Sequence, residues 1–219
     1  MHPPDDSSLS PDIDLLHVDE ALVVVRKPAG LLSVPGRGPE RADCMSARVQ
    51  QRLPDALVVH RLDMATSGLL LMARGAAAQR LLSAAFAERQ VAKRYTAVVA
   101  GQIDADHGEV NLPLICDWPN RPRQMVDHVR GKPALTRWRV LSRQPAAGTT
   151  RVELEPVTGR SHQLRVHLQS IGHPIVGDEL YAATQWQQAA PRLLLHACHL
   201  AFAHPLSGAA LAFDDPAAF

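Results

Sequence analysis

The stretch HRLDMATSG, His60 to Gly68, puts one carboxylate, Asp63, two residues from Arg61 and just ahead of a small-residue bend, Thr66-Ser67-Gly68. Apolar runs, LVVHRL and GLLLMA, enclose it on both sides. An isolated aspartate at such a bend has two uses. It can cap backbone N–H groups of its own turn. Alternatively, in a site drained of water, it stays ionised beside a cation and serves as nucleophile or base at neutral pH. On a strand, Arg61 would lie on the same side as Asp63 and be that cation.

A second cluster, TGRSHQLRVH, runs from Thr158 to His167 and opens a short helix. Ser161 is placed to cap it, and Thr158, Gly159 and Arg160 approach an N-terminus suited to an anion or a polar ligand. His162 and Gln163 fall in the first turn. Arg165 stands off the Leu164, Leu168, Ile171 stripe, as a solvated arginine or one turned toward a site. His162 and His167 are five apart and miss the i, i+4 spacing of a zinc pair. In HACHLAFAH, alternation sends His196 and Cys198 to one side of a strand and His199 to the other. No metal is expected at either cluster. The third segment is KRYTAVV, in a chain only 4% aromatic with two tyrosines, Tyr95 and Tyr181. Tyr95 is either a strand-end core residue with a bonded hydroxyl or a ring that stacks on a flat substrate.

These residues need elements to hold them. LLHVD and ALVVVRKP predict a β-hairpin turning at Asp19-Glu20, and PAGLLSVPGRGP a Gly/Pro-punctuated loop. Asp43 is placed to cap a helix reaching Arg52, with Met45, Val49 and Leu53 at helical spacing. ALVVHRL and GLLLMAR are strand-like. Ala76 to Arg89 predicts a helix burying Leu81, Leu82, Ala85 and Phe86. KRYTAVVAG predicts a strand ended by Gly101, NLPLICDWPNRPRQM an irregular segment, and ALTRWRVLS and TTRVELEPV two strands that each wet one face. A helix over SHQLRVHLQSIG ends near Gly172, and RLLLHACHLAFAHP supplies a closing strand pair. Strands joined by short links with interspersed helices give an α+β class, with a large mixed, mostly antiparallel sheet. No GxGxxG or comparable phosphate loop is present, which argues against a nucleotide cofactor.

The chain has 219 residues and a net charge of +1. Residues 1–12 are Pro-, Asp- and Ser-rich, the composition of a disordered leader, leaving 13–219 as one domain. Cys44, Cys116 and Cys198 are far apart and form neither a disulfide framework nor a CxxC site. There is no secretory signal and no apolar run of membrane-spanning length, so a cytoplasmic protein is expected. Arg121 to Arg143 carries seven basic residues against one acid, Asp127, which suits phosphate or simply a solvated strand face.

Taken in order, the three clusters resemble those of the RluA-type pseudouridine synthases. HRLDMATSGLLL resembles that family's catalytic-aspartate motif, KRYTAVV its tyrosine motif, and GRSHQLRVH with GHPIVGDELY its arginine motif. RLLLHACHLAFAHP is similar to its pocket-completing C-terminal segment, and the likeness runs from Leu15 to the end. The resemblance implies a pseudouridine-synthase-like fold with a central cleft and no cofactor. It implies Asp63 as the essential carboxylate, Arg165 as its ion partner and Tyr95 as the residue packing on the base and handling the C5 proton. Arg61 would fill the place of a flipped nucleotide, with Arg160, His162 and Gln163 lining the approach. NLPLICDWPNRPRQM and the short length are most similar to dual-specificity members, which implies 23S rRNA and tRNA stem-loops as partners, read by a monomer without an S4-like module. The rivals are a sibling acting on a single RNA site, a non-catalytic RNA binder of the same fold, and a hydrolase of small glycosides. The last needs a second acid near the first, and only Asp178 and Glu179, in the turn-like GDELY, stand near these motifs.

Overall fold

The computed structural model describes residues 13–219; the expected leader at 1–12 lies outside them. Among the described residues are twelve strands and four α-helices. The strands are β1 (Asp14–Val18), β2 (Leu22–Lys27), β3 (Ala56–Val58), β4 (Ser67–Arg74), β5 (Ala92–Ala100), β6 (His107–Asn111), β7 (Leu114–Cys116), β8 (Gln124–Val126), β9 (Leu135–Gln144), β10 (Thr149–Pro156), β11 (Leu195–Ala203) and β12 (Ala210–Asp214). The helices are α1 (Met45–Arg52), α2 (Gly75–Ala87), α3 (Gln163–Ser170) and α4 (Thr184–Gln187).

Ten strands form one sheet in the order β1-β2-β4-β11-β5-β10-β9-β6, with β3 added to β4 and β12 to β11. Every pairing in it is antiparallel except β4 with β11, where His196 faces Ser67 and Ala197 faces Gly68. The central strands β2 and β4 are buried on both faces, which is why LVVV and GLLLMA read as unbroken apolar runs. Val23 and Val25 meet Met45 and Val49 of α1, whereas Leu22 and Val24 meet Ala78 and Leu82 of α2. By strand alternation these helices cover opposite faces. Leu164 and Leu168 of α3 pack on Val99, Val152, Leu154 and Leu195 from β5, β10 and β11. No helix among the described residues is long and apolar enough to cross a membrane.

Local details depart from expectation. The N-cap of α1 is Cys44, whose Sγ accepts the Ala47 N–H (3.4 Å); Asp43, one residue earlier, pairs with Arg48 instead. Leu81 is 50% exposed, because α2 meets the sheet through Ala78 and Leu82. The Pro-rich middle is not wholly irregular: β7 and β8 form a separate short hairpin. ALVVHRL stays extended only as far as Val58, and Val59 to Thr66 leave the sheet as a loop.

Candidate functional site

Asp63 sits on the loop between β3 and β4, and several partners hold that loop. The Lys27 ammonium, fully buried at the end of β2, donates to the carbonyls of Pro28 (2.8 Å), Leu31 (2.7 Å) and Met64 (3.1 Å). The Gly30 N–H donates to the same Met64 carbonyl. Ser33 Oγ donates to the Leu62 carbonyl (2.8 Å) and accepts the Leu62 N–H (3.0 Å). On the other flank His60 stacks on Phe86, and its Nε2 accepts the Leu71 N–H (3.0 Å). The loop closes on itself through the Thr66 N–H and the Asp63 carbonyl. The carboxylate is therefore mounted on a backbone clamped from both sides. Lys27 and Ser33 were not singled out from sequence; a lysine at the end of the mostly apolar strand LVVVRK was the available signal.

Burial pushes the Lys27 ammonium down to about 8, with the charge of Asp63 opposing the shift. Burial likewise pushes His60 down to about 3, aided by nearby Lys93. His60 is thus a neutral acceptor at ordinary pH.

Arg165 projects from α3 and is almost completely buried. Its Nη1 lies 3.7 Å from Asp63 Oδ2. A closer partner takes its other edge: Nε and Nη2 donate to Asp178 Oδ2 and Oδ1 at 2.8 and 2.7 Å. Asp178 is itself fully buried and accepts the Leu180 and Tyr181 N–H groups as well. Arg165 is therefore not a solvated helix arginine, and GDELY is more than a structural turn. Burial disfavours the Arg165 charge, but the hydrogen bonds and charge of Asp178, with the charge of Asp63, outweigh it and raise its pKa overall. The Tyr181 ring lies under the guanidinium, 5.0 Å from its centre. Its hydroxyl accepts the Gln124 N–H (2.8 Å) and shares a 2.7 Å hydrogen bond with His162 Nδ1.

Two cavities meet at this point. The first, about 470 Å³, is lined by all seven residues picked from the sequence: Asp63, Tyr95, Arg165, Arg61, Arg160, His162 and Gln163. The second, about 700 Å³, lies between the loop at Ala29 to Gly36, Pro122 and the segment Pro191 to Leu193. Arg61, Leu62, Asp63, His162 and Arg165 border both. Each volume is in the range of a small-ligand site. The Asp63 side chain is 22% exposed, so the carboxylate reaches the opening while its partner is walled in.

The expected pairing of Arg61 with Asp63 is absent, because residues 61–63 are loop rather than strand; Arg61 is exposed at the border of both cavities. Ser161 does not cap α3. His162 occupies the N-cap in the left-handed region, φ 52°, without a side-chain cap bond. Such backbone costs a non-glycine residue about 1–3 kcal/mol and is kept where surroundings enforce it. Arg160 is exposed, its Nε on the Pro133 carbonyl. Gln163 is buried, and its amide serves Thr158, Arg160, Leu135 and Thr136. It shapes the 158–160 turn and has no group left to offer a ligand. Burial, with the charge of Asp63, pushes the Tyr95 phenol up. That favours a neutral ring and disfavours a phenolate at neutral pH.

His196 and His199, outside the site, are structural. His196 joins Ser67 Oγ (2.9 Å) to Asp215 (3.1 Å), a buried link between β4, β11 and the C-terminal segment. His199 pairs with Asp214. In the basic segment, Arg130, Arg137, Arg139 and Arg143 pair with Asp127, Glu155, Glu153 and Asp106. Three of those acids come from outside the segment, so much of its charge is neutralised locally.

Comparison with known proteins identifies the family. The family model described as RNA pseudouridylate synthase matches residues 21–170. The dual-specificity RNA pseudouridine synthase RluA of Pasteurella multocida (strain Pm70) is 52% identical over 209 residues, 95% of either chain. The protein of that name from Escherichia coli (strain K12) is 50% identical over the same length and coverage. Among solved structures, human RNA Pseudouridylate Synthase Domain Containing 1 superposes with a TM-score of 0.79 at 28% identity, over 99% of this chain and 86% of that one. Human RNA Pseudouridylate Synthase Domain Containing 4 gives 0.73 at 25%, over 93% and 88%. A clamped carboxylate beside a buried guanidinium thus sits on a shared fold and a sequence half identical to known enzymes, and the chain belongs to the RluA group of the RNA pseudouridylate synthase family.

Proposed function

We propose that the protein converts uridine to pseudouridine in stem-loops of 23S rRNA and in the tRNA anticodon loop, with Asp63 as the acting carboxylate. The observation that carries this reading is the position of Asp63, at the junction of the two cavities and 3.7 Å from a buried arginine. The substrate class follows from relatives named dual-specificity synthases at 50–52% identity over 95% of the chain.

The reaction breaks the bond from C1′ to N1, turns the uracil and joins C1′ to C5. N1 gains a proton and C5 loses one, so no electrons are exchanged and no redox cofactor is required. A uridine in a stem-loop reaches Asp63 only when flipped out, at a cost of a few kcal/mol of unstacking. Tyr95 and Leu195 offer the first cavity an apolar wall for the base. Arg165 pairs with Asp63 and aims it. The raised Tyr95 pKa supports a packing role for the ring over removal of the C5 proton. Arg61, exposed at the mouth, is placed to occupy the gap left in the RNA, and Arg160 and His162 to line the approach. In this reading the protein acts as a monomer through the single domain 13–219. Three free cysteines and an RNA substrate fit the cytoplasm.

The test is release of label from C5 of uridine in transcribed stem-loops. Asp63→Asn should form no pseudouridine while still shifting RNA in a gel. Appreciable turnover by that variant would remove Asp63 from the chemistry; product in only one of the two RNAs would narrow the substrate to that RNA.

A further inference from the structure

We propose that Trp118 and Arg121, at the tip of the β7–β8 hairpin, read the RNA strand beside the target uridine by stacking one of its unpaired bases on the indole. The inference rests on the functional reading above and extends it to substrate selection. Trp118 is 67% exposed, in a chain with three tryptophans. The Arg121 guanidinium lies 4.0 Å from the centre of its ring, and its Nε donates to the Trp118 carbonyl (3.0 Å). One indole face is thus covered by a cation, and the exposure that remains leaves the other open.

The hairpin is anchored, so the ring is presented from a fixed place. Leu114 and Lys132 exchange backbone hydrogen bonds of 3.0 and 2.9 Å at its base. The Gln124 N–H is held by the Tyr181 hydroxyl, which also bonds His162. Pro122, next to Arg121, forms part of the wall of the second cavity together with Arg61 and Asp63. Arg121, which covers the indole, is thus the chain neighbour of a residue in that wall.

Charge identifies the occupant. Arg121, Arg123 and Lys132 have no acidic ion-pair partner among the described residues, while Arg130 is matched by Asp127. An aromatic ring with an unneutralised guanidinium on one face, the neighbouring Asp117 carboxylate being held by the Asn120 amide, suits a single nucleic-acid strand, with bases on the ring and phosphates on the guanidinium groups. Base stacking on an aromatic side chain is worth about 1–3 kcal/mol, equivalent to roughly 5- to 150-fold in affinity.

Steady-state kinetics of Trp118→Ala and Trp118→Phe on rRNA and tRNA stem-loop transcripts test this. Trp118→Ala should raise KM for RNA roughly 5- to 150-fold with kcat at saturating RNA retained. Trp118→Phe should recover most of the loss, and RNA should quench the part of the indole emission that Trp118→Phe removes. An active wild type whose Trp118→Ala variant keeps its KM, or loses only kcat, overturns the inference and leaves the functional reading intact. A folded wild type that makes no pseudouridine in any transcript overturns both.

Discussion

Arg165 serves two acids at once, and the division is unequal. Asp178 takes the Nε and Nη2 edge at hydrogen-bond distance, while Asp63 stands at 3.7 Å from Nη1. Asp178 thereby fixes the orientation of the guanidinium and leaves one nitrogen for the Asp63 carboxylate. Removing one member of a buried pair strands the other, at a cost of about 3–5 kcal/mol. Asp178→Ala should lose stability on that scale in a urea melt. Asp178→Asn keeps the shape and one acceptor oxygen and should lose less stability, while still lowering kcat through a misdirected Arg165. Melting of Asp178→Ala at the wild-type midpoint would show that Arg165 does not depend on this contact.

At the scale of elements, the loop that carries Asp63 depends on how β4 begins. Gly68 has φ 112°, and a Cβ there would lie 2.3 Å from the Ala197 carbonyl oxygen of β11. The close approach is the sheet's one parallel pairing, directly after the loop that carries Asp63. Gly68→Ala adds backbone strain of about 1–3 kcal/mol and overpacking of about 1–3 kcal/mol. It should destabilise the protein and displace the loop. Gly75→Ala is the control: φ is 74° but nothing lies within 4 Å of its Cβ position, so only the strain applies. Equal melts for the two variants would mean that β4 has room to yield from β11.

For the whole molecule, the fold buries histidines in neutral form. Burial lowers the pKa of His60, His162, His167 and His196, and that of His60 to about 3. The unfolded chain takes up these protons near pH 6.5 and the folded chain resists them. Stability is thus present above about pH 6.5 and declines as pH falls toward the folded value, at up to about 1.4 kcal/mol per pH unit for each histidine. Urea melts between pH 7 and 5 should show this decline. His60→Gln, which can accept the same Leu71 N–H, should show a shallower one. An equal slope in wild type and variant would mean that His60 is protonated in the fold.

What was legible beforehand had short-range causes. Two-sided burial writes β2 and β4 as apolar runs, and one-sided exposure writes β9 as alternation. The three chemical clusters were readable because they are compact in sequence. Cys44 in place of Asp43, and His162 in place of Ser161, were not: both caps turn on backbone angles that neighbouring polar residues do not reveal. The β7–β8 hairpin was hidden among prolines, because three-residue strands carry almost no periodicity.

The amino-acid sequence alone determined which groups are available, in what order, and which segments must bury. Only the tertiary structure decided their partners. It gave Arg165 to Asp178 before Asp63, put Lys27 beneath the loop that carries Asp63, put Pro122 of the β7–β8 hairpin in the wall of the second cavity and brought two cavities to one carboxylate. The physical reason is range. Hydrophobic period and turn chemistry act over a few residues. The pairing of Asp63 with a guanidinium about a hundred positions away exists only once the sheet has closed the chain between them.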